Sequence, residues 1–315
     1  MNRGNRLTEV FNPLLELTDP RCRVFQSLTH PTLFNPGLAV IRFFYLLSGS
    51  KLMEPISFYT PSVLRFTDDG VTIPGSSYGY RIFDSEHGNQ FETAADIIQS
   101  RPDTKRAVIQ ISHPEDTARA RDSSDIPCAS TLIFMPRGSV LHATVIMRAN
   151  DAVSLLPYNL FEFSLLVECM AARTAMTLGS FFQSAVSMHV RGSGHHIAPV
   201  VAAEQIKCVR MAVLGTFIEE LRQALVTTEA VVRRSVLQCP FADSIARLPR
   251  LVEGFEPIWA DLIAVLLIEA LRVRQMAGVE KLLAVCEQVL MDIQQPIVLQ
   301  QYRAYLRARA VVDGD

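Results

Sequence analysis

The chain has no excess of charge of one sign: 30 Lys and Arg stand against 32 Asp and Glu, a formal net charge of −2. No overall basic field therefore argues for a nucleic-acid polymer as partner. There is also no uninterrupted run of about eighteen apolar residues, the length that spans a bilayer. The richest stretch, 260–271, is too short and carries Asp261 and Glu269, so no membrane span is expected. The first residues, Met1 to Arg6, are polar and lack the apolar centre of a secretory signal. Six cysteines (Cys22, Cys128, Cys169, Cys208, Cys239 and Cys286) include no close pair of the kind used by zinc or dithiol sites. No metal is expected, most of these thiols read as small buried hydrophobes, and a cytoplasmic setting is the natural one. Internal repeats and low-complexity tracts are absent.

What is present is a foldable core. Hydrophobic residues make up 49% and charged residues 20% of 315, which excludes a disordered chain. The first half reads as mixed α and β. A buried helix is expected over 35–49, opened by Asn35-Pro36 and closed by Gly49. The turn clusters Thr67–Gly70 and Pro74–Ser77 flank a short strand. A helix at Phe91–Ser100 precedes a buried strand at Ala107–Ser112, and residues 114–126 are polar enough to form a loop. Strands at 129–135 and 140–148 are joined by hairpin chemistry at Pro136–Ser139. A long helix is predicted over Leu160–Leu178, stopped by Gly179, and Gly192–His196 reads as a flexible joint. Beyond 203 the pattern is helical, over 203–237, 257–276 and 278–292, broken by prolines. The division that follows is a core over 1–202 and a helical region over 203–315 packed on it.

Within the core, Asp125-Ile126-Pro127-Cys128 is followed by Arg148-Ala149-Asn150-Asp151, then by Pro157-Tyr158-Asn159 and by Met188-His189. A thiol, a guanidinium, a carboxylate, an amide and an imidazole are thus spaced so that strands and a helix start bring them to one cleft. Cysteine is a nucleophile only as thiolate, and a neighbouring arginine favours that form.

This order of residues resembles the folate-dependent thymidylate synthase family, which includes the pyrimidine-nucleotide hydroxymethylases. The resemblance covers roughly residues 1–200 and implies an α+β fold, a mixed sheet with packed helices. By the same resemblance Cys128 is the nucleophile, Arg148 binds phosphate near it, and Asp151 follows it at the strand end. Asn159 reads the ring edge, favouring uracil while leaving cytosine open. His189 is linked to the sugar hydroxyl, and Tyr78-Gly79 closes the wall of the site. Lys105 and Arg106 reach the phosphate of the other subunit in a homodimer, and Arg3 touches phosphate from the N-terminal element.

The departures are as informative. Where the family has a glutamate that organises waters and proton transfers around the ring, this chain has Arg42. An unpaired charge on an apolar helix is costly, so Arg42 either pairs with an acid or reaches a cleft. The expectation is that it faces the cleft and meets an anion, a phosphate or carboxylate that ordinary family members do not bind. Ala149, Leu155, Ser112, His113 and Arg191 also depart from the family pattern, and the C-terminal residues 311–315 do not resemble a folate-closing tail. The implied function is C5 methyl or hydroxymethyl transfer onto a uridylate-type or cytidylate monophosphate. In that chemistry a thiolate at C6 makes C5 nucleophilic, with methylenetetrahydrofolate as one-carbon donor. Folate-independent C5 chemistry and a non-catalytic nucleotide-binding protein are the two alternatives that Arg42 raises.

Overall fold

A computed structural model describes residues 7–204 and 209–313; Arg3 and Cys208 lie outside them. Six strands form one sheet: β1 (Leu7–Phe11), β2 (Leu14–Leu17), β3 (Val108–Gln110), β4 (Ala129–Arg137), β5 (Val140–Asp151) and β6 (Thr177–Arg191). Their order is β1-β6-β5-β4-β3, with β2 also paired to β6. The β4–β5 pair is an antiparallel hairpin turning through Gly138, whose φ of 57° suits a residue without a side chain. β5 and β6 run parallel, which requires a crossover, and a helix over Leu156–Arg173 supplies it.

The helices are α1 (Pro36–Ser48), α2 (Glu54–Ser57), α3 (Gln90–Ser100), α4 (Pro114–Arg119), α5 (Leu156–Arg173), α6 (Gly194–Ala202), α7 (Glu219–Gln238), α8 (Phe241–Ile245), α9 (Leu248–Val252), α10 (Pro257–Val273), α11 (Val279–Asp292) and α12 (Ile297–Asp313). A 3-10 turn covers Pro61–Phe66 and a π-helical turn Tyr80–Asp84. Rows such as Leu132, Val145 and Gln183, or Phe134, Ala143 and Phe181, lie side by side across the sheet and are buried. Against this side packs α5, and α1 packs on α5.

α1 is apolar nearly all round, so it must be buried on more than one side. Asn35 caps its start by accepting from Gly37 N at 2.9 Å, and Gly49 ends it at φ 66°. Its other flank is covered by α7, α10 and α12. These helices also clasp its two ends. Arg222 of α7 donates to the Leu47 carbonyl at 2.5 Å. Glu269 of α10 accepts from Asn35 Nδ2 at 2.9 Å and from the Tyr302 hydroxyl of α12 at 2.5 Å.

Several expectations need correction. The helix expected over 160–178 ends at Arg173 as α5, and Thr177–Arg191 is a strand, β6, with Gly179 inside it rather than stopping a helix. There its missing side chain leaves room for Val140 and His142. The polar stretch after 113 begins with a helix, because His113 and Asp116 form a capping box at Pro114. Residues 71–73 form only an isolated bridge, Leu52 to Thr72. The joint at 192–196 starts α6, residues 209–218 are not helical, and α12 follows Pro296. Cys22 is disulfide-bonded, while Cys128, Cys169, Cys239 and Cys286 are free. No helix of the described residues is long and apolar enough to cross a membrane.

Candidate functional site

A cavity of about 310 Å³ opens between α1, the start of α5 and the segments that precede β4 and follow Ile73. Its wall includes Arg42, Tyr78, Cys128 and Asn159, so four of the residues singled out from the sequence meet there. Each is placed by a local device. Cys128 directly precedes β4, where the register with β5 shifts between Ala129 and Thr131; such bulges re-aim side chains at the ends of strands. Its carbonyl accepts from Arg148 N at 2.8 Å.

Tyr78 is held opposite the thiol by a clamp. The buried Asp125 carboxylate accepts from Gly75 N at 2.7 Å and from Ser76 N at 2.6 Å. Arg81, itself paired with the buried Asp116, donates to the Pro74 carbonyl at 2.7 Å. A Cβ on Gly75 would overlap the Asp125 carbonyl, and one on Gly79 would overlap that of Leu46. Both glycines therefore permit backbone contacts that no other residue allows. The Tyr78 ring stacks on Phe163, and its hydroxyl accepts from Ala129 N at 3.3 Å. Burial, and then the neighbouring Cys128, push the Tyr78 phenol above its usual range.

Arg42 projects from α1 into the cleft, and the anion it meets is a residue of the chain. Its Nε and Nη2 donate to the two oxygens of Glu162 on α5, the second at 3.2 Å. Burial works against the guanidinium charge, but the Glu162 carboxylate outweighs it, so the Arg42 pKa lies above its ordinary value. The guanidinium also lies 5.5 Å from the centre of the Tyr158 ring. Asn159 is buried; its Oδ1 is 3.5 Å from Arg42 Nη2, and its Nδ2 donates to Asn150 Oδ1 at 3.1 Å. Asn150 Nδ2 is buried in the same wall with no partner, a donor still free to be satisfied by a ligand carbonyl.

The remaining expected residues lie outside the cavity wall. Arg148 is folded back over the residues before the thiol, donating to the carbonyls of Pro127 at 2.9 Å and Ile126 at 3.3 Å. Asp151 accepts from Val153 N and Ser154 N and so shapes the turn into α5. His189 is buried on β6, between Glu9 of β1 and Asp151 of β5 in register. Burial and then Arg191, which donates to its Nε2 at 2.6 Å, lower its pKa below the usual histidine range. Lys105 and Arg106 stand on the exposed loop before β3. Among the described residues no group of three or more His, Cys, Asp or Glu side chains is placed to hold a metal. Sequence reasoning missed Glu162 and Asn150. The signal for Glu162 was the need for an acid beside Arg42, and its place three residues after Asn159 puts both on one helix face.

A thiol at a strand start, a buried tyrosine and an amide on the crossover helix thus line one cleft of an α+β protein. Residues 59–212 match the family profile for thymidylate synthase. Over 199 residues the chain is 29% identical to the deoxyuridylate hydroxymethyltransferase of Bacillus phage SP01, a match covering 60% of this chain and 51% of that protein. The deoxyuridylate hydroxymethyltransferase of Delftia phage PhiW-14 is likewise 29% identical over 199 residues, 59% of this chain and 54% of its own. A thymidylate synthase of Haloferax volcanii is 31% identical over 102 residues, covering 32% of this chain and 29% of its own. The chain thus spans about half the length of the phage relatives it matches. Its residues 59–212 carry a divergent thymidylate synthase domain.

Proposed function

We propose that the chain acts at C5 of a pyrimidine nucleoside monophosphate, with deoxyuridylate as first candidate, by adding the Cys128 thiolate to ring C6. The observation that carries this reading is the meeting of Cys128, Tyr78, Asn159 and Arg42 in one cavity. The names of the two phage relatives favour deoxyuridylate and hydroxymethyl transfer. In this reading Asn159 and Asn150 read the ring edge, and Arg148 with His189 and Arg191 serves the sugar-phosphate end. Arg3 adds to the phosphate site, and Asp151 sets the turn that aims α5.

Methylenetetrahydrofolate is the implied one-carbon donor. Leu38, Ile56, Val63 and Phe66 give the cleft an apolar wall, and Arg65 lines it too, a set suited to a flat pterin with an anionic tail. Bound there, the cofactor would supply a carbon at the oxidation level of formaldehyde. Folate-independent C5 chemistry is the second reading, favoured by Arg42 standing where the resemblance calls for glutamate.

A homodimer belongs to the proposal too. On the side of the sheet away from α5, Ile133, Thr144 and Phe182 form a half-exposed row with Val186 nearby. An apolar face of this kind suits a second copy, to which Lys105 and Arg106 would reach. The test is tritium release from C5-labelled dUMP, UMP, dCMP and CMP, with and without methylenetetrahydrofolate. Release that vanishes in Cys128→Ala is expected. No release from any nucleotide that still binds would overturn the reading and leave a non-catalytic nucleotide-binding protein.

A further inference from the structure

Substitution at C5 requires that the ring hydrogen leave as a proton, so the cleft needs a group that can take one and give one back. Its described wall contains few. Glu162 is the sole carboxylate among the lining residues, and no histidine or lysine joins it. The three tyrosines of the wall, Tyr45, Tyr78 and Tyr158, are all pushed up by burial, Tyr45 to about 12. None of them is suited to accept a proton at neutral pH.

Glu162 has the position as well as the chemistry. It lies one turn along α5 from Asn159, on the same face, and Arg42 grips both of its oxygens in a fork. The carboxylate side chain is 4% exposed and the guanidinium 28%. The open side of the pair is therefore the guanidinium, and the acid is shielded. A buried ion pair is a poor way merely to join two helices, since apolar side chains of similar size do so at no greater cost.

Resting on the C5 reading above, we propose that Glu162 is the acid–base residue of this cleft and that Arg42 is the positioning residue that aims its carboxylate. The carboxylate that the resemblance would place on α1 comes instead from α5, while α1 supplies the cation that holds it. In the exchange half-reaction the Cys128 thiolate forms the S–C6 bond, and the C5–C6 π pair moves onto C5 and the C4 carbonyl. C5 takes a proton from the Glu162 carboxyl, which had acquired it from solvent. The Glu162 carboxylate then removes the original ring hydrogen, the pair returns to C5–C6, and the S–C6 bond breaks to release thiolate. One solvent proton enters and one ring proton leaves, so no oxidant, reductant or co-reactant is required.

The test uses the full chain and [5-³H]dUMP, with release rates and dUMP affinity measured in parallel. Glu162→Gln is expected to slow release by about 10²- to 10⁴-fold, with dUMP affinity held within about threefold. Formate is expected to restore part of the rate to Glu162→Ala, where Arg42 is left to receive it, and none to Cys128→Ala. Release from Glu162→Gln at the native rate would overturn the assignment while leaving the C5 reading intact. So would a parallel fall of release and dUMP binding in both Glu162 variants without formate rescue, which would make the pair structural. No release from the unaltered chain would instead refute the C5 reading, and the Glu162 assignment with it.

Discussion

Replacing Arg42 by methionine tests the central pair through stability alone, without any assumption about substrate. The guanidinium bonds both oxygens of Glu162, whose side chain is 4% exposed. Removing one partner of such a pair leaves the other charge in poor solvent, a loss of about 3–5 kcal/mol when both are fully buried. Arg42 is 28% exposed, so water already reaches the pair and would partly solvate the orphan. The working figure is therefore below that range, about 2–3 kcal/mol. Removing both charges in Arg42→Met/Glu162→Leu should restore most of that loss, because an apolar pair of similar volume packs at least as well. Urea unfolding of the native chain, both single variants and the double variant gives the coupling energy directly. A coupling of about 1.5 kcal/mol or more is expected. A value below about 0.5 kcal/mol, with the single variants additive, would refute the pair as drawn.

Gly75→Ala should destabilise the chain by at least about 2 kcal/mol, since its Cβ would overlap the Asp125 carbonyl; an unchanged urea midpoint would contradict the clamp on Tyr78. Glu269→Gln should cost about 2 kcal/mol, because it weakens the bonds to Asn35 and Tyr302 that tie the start of α1 and α12 to α10, and the pair with Arg272 one turn along α10. Asp261 supplies a pH test. Burial pushes its folded carboxyl up to about 7 despite the bonds from Val298 and Leu299, whereas the unfolded group titrates near 3.8. Between those values the folded state holds the extra proton, so this stability is present in full below about pH 4 and is lost as pH rises to about 7. Relative to Asp261→Asn, the native urea midpoint should fall across that window; parallel pH responses would exclude the shift.

The parts of the fold that the sequence made legible are those where one local signal dominates. α1 announces itself through Asn35-Pro36 and Gly49, and the β4–β5 hairpin through alternation around Gly138. β6 was hidden because Thr177 and Leu178 read as the tail of the preceding helix, and only pairing with β5 makes 177–191 a strand. The start of α4 was hidden by polar residues, which act there as caps. In the site, Cys128, Tyr78 and Asn159 could be found from motif order, and Arg42 from its charge on an apolar helix. Glu162 could not be found in the same way. An acid in an apolar helix gains meaning only when α1 and α5 are known to touch. Asn150 likewise matters only because its amide nitrogen is left unpartnered while its oxygen accepts from Asn159.

The most direct test of the account is whether Cys128 becomes bonded to the pyrimidine ring. Fluorine at C5 cannot depart as a cation, so 5-fluoro-dUMP arrests a thiolate adduct once C5 has reacted. The full chain would be incubated with 5-fluoro-dUMP, with and without methylenetetrahydrofolate, then digested and the Cys128 peptide weighed. The account predicts that this peptide gains the mass of the nucleotide, alone or with the cofactor, and that Cys128→Ala gains nothing. A native chain that binds the nucleotide yet carries no adduct at Cys128 under either condition would contradict it.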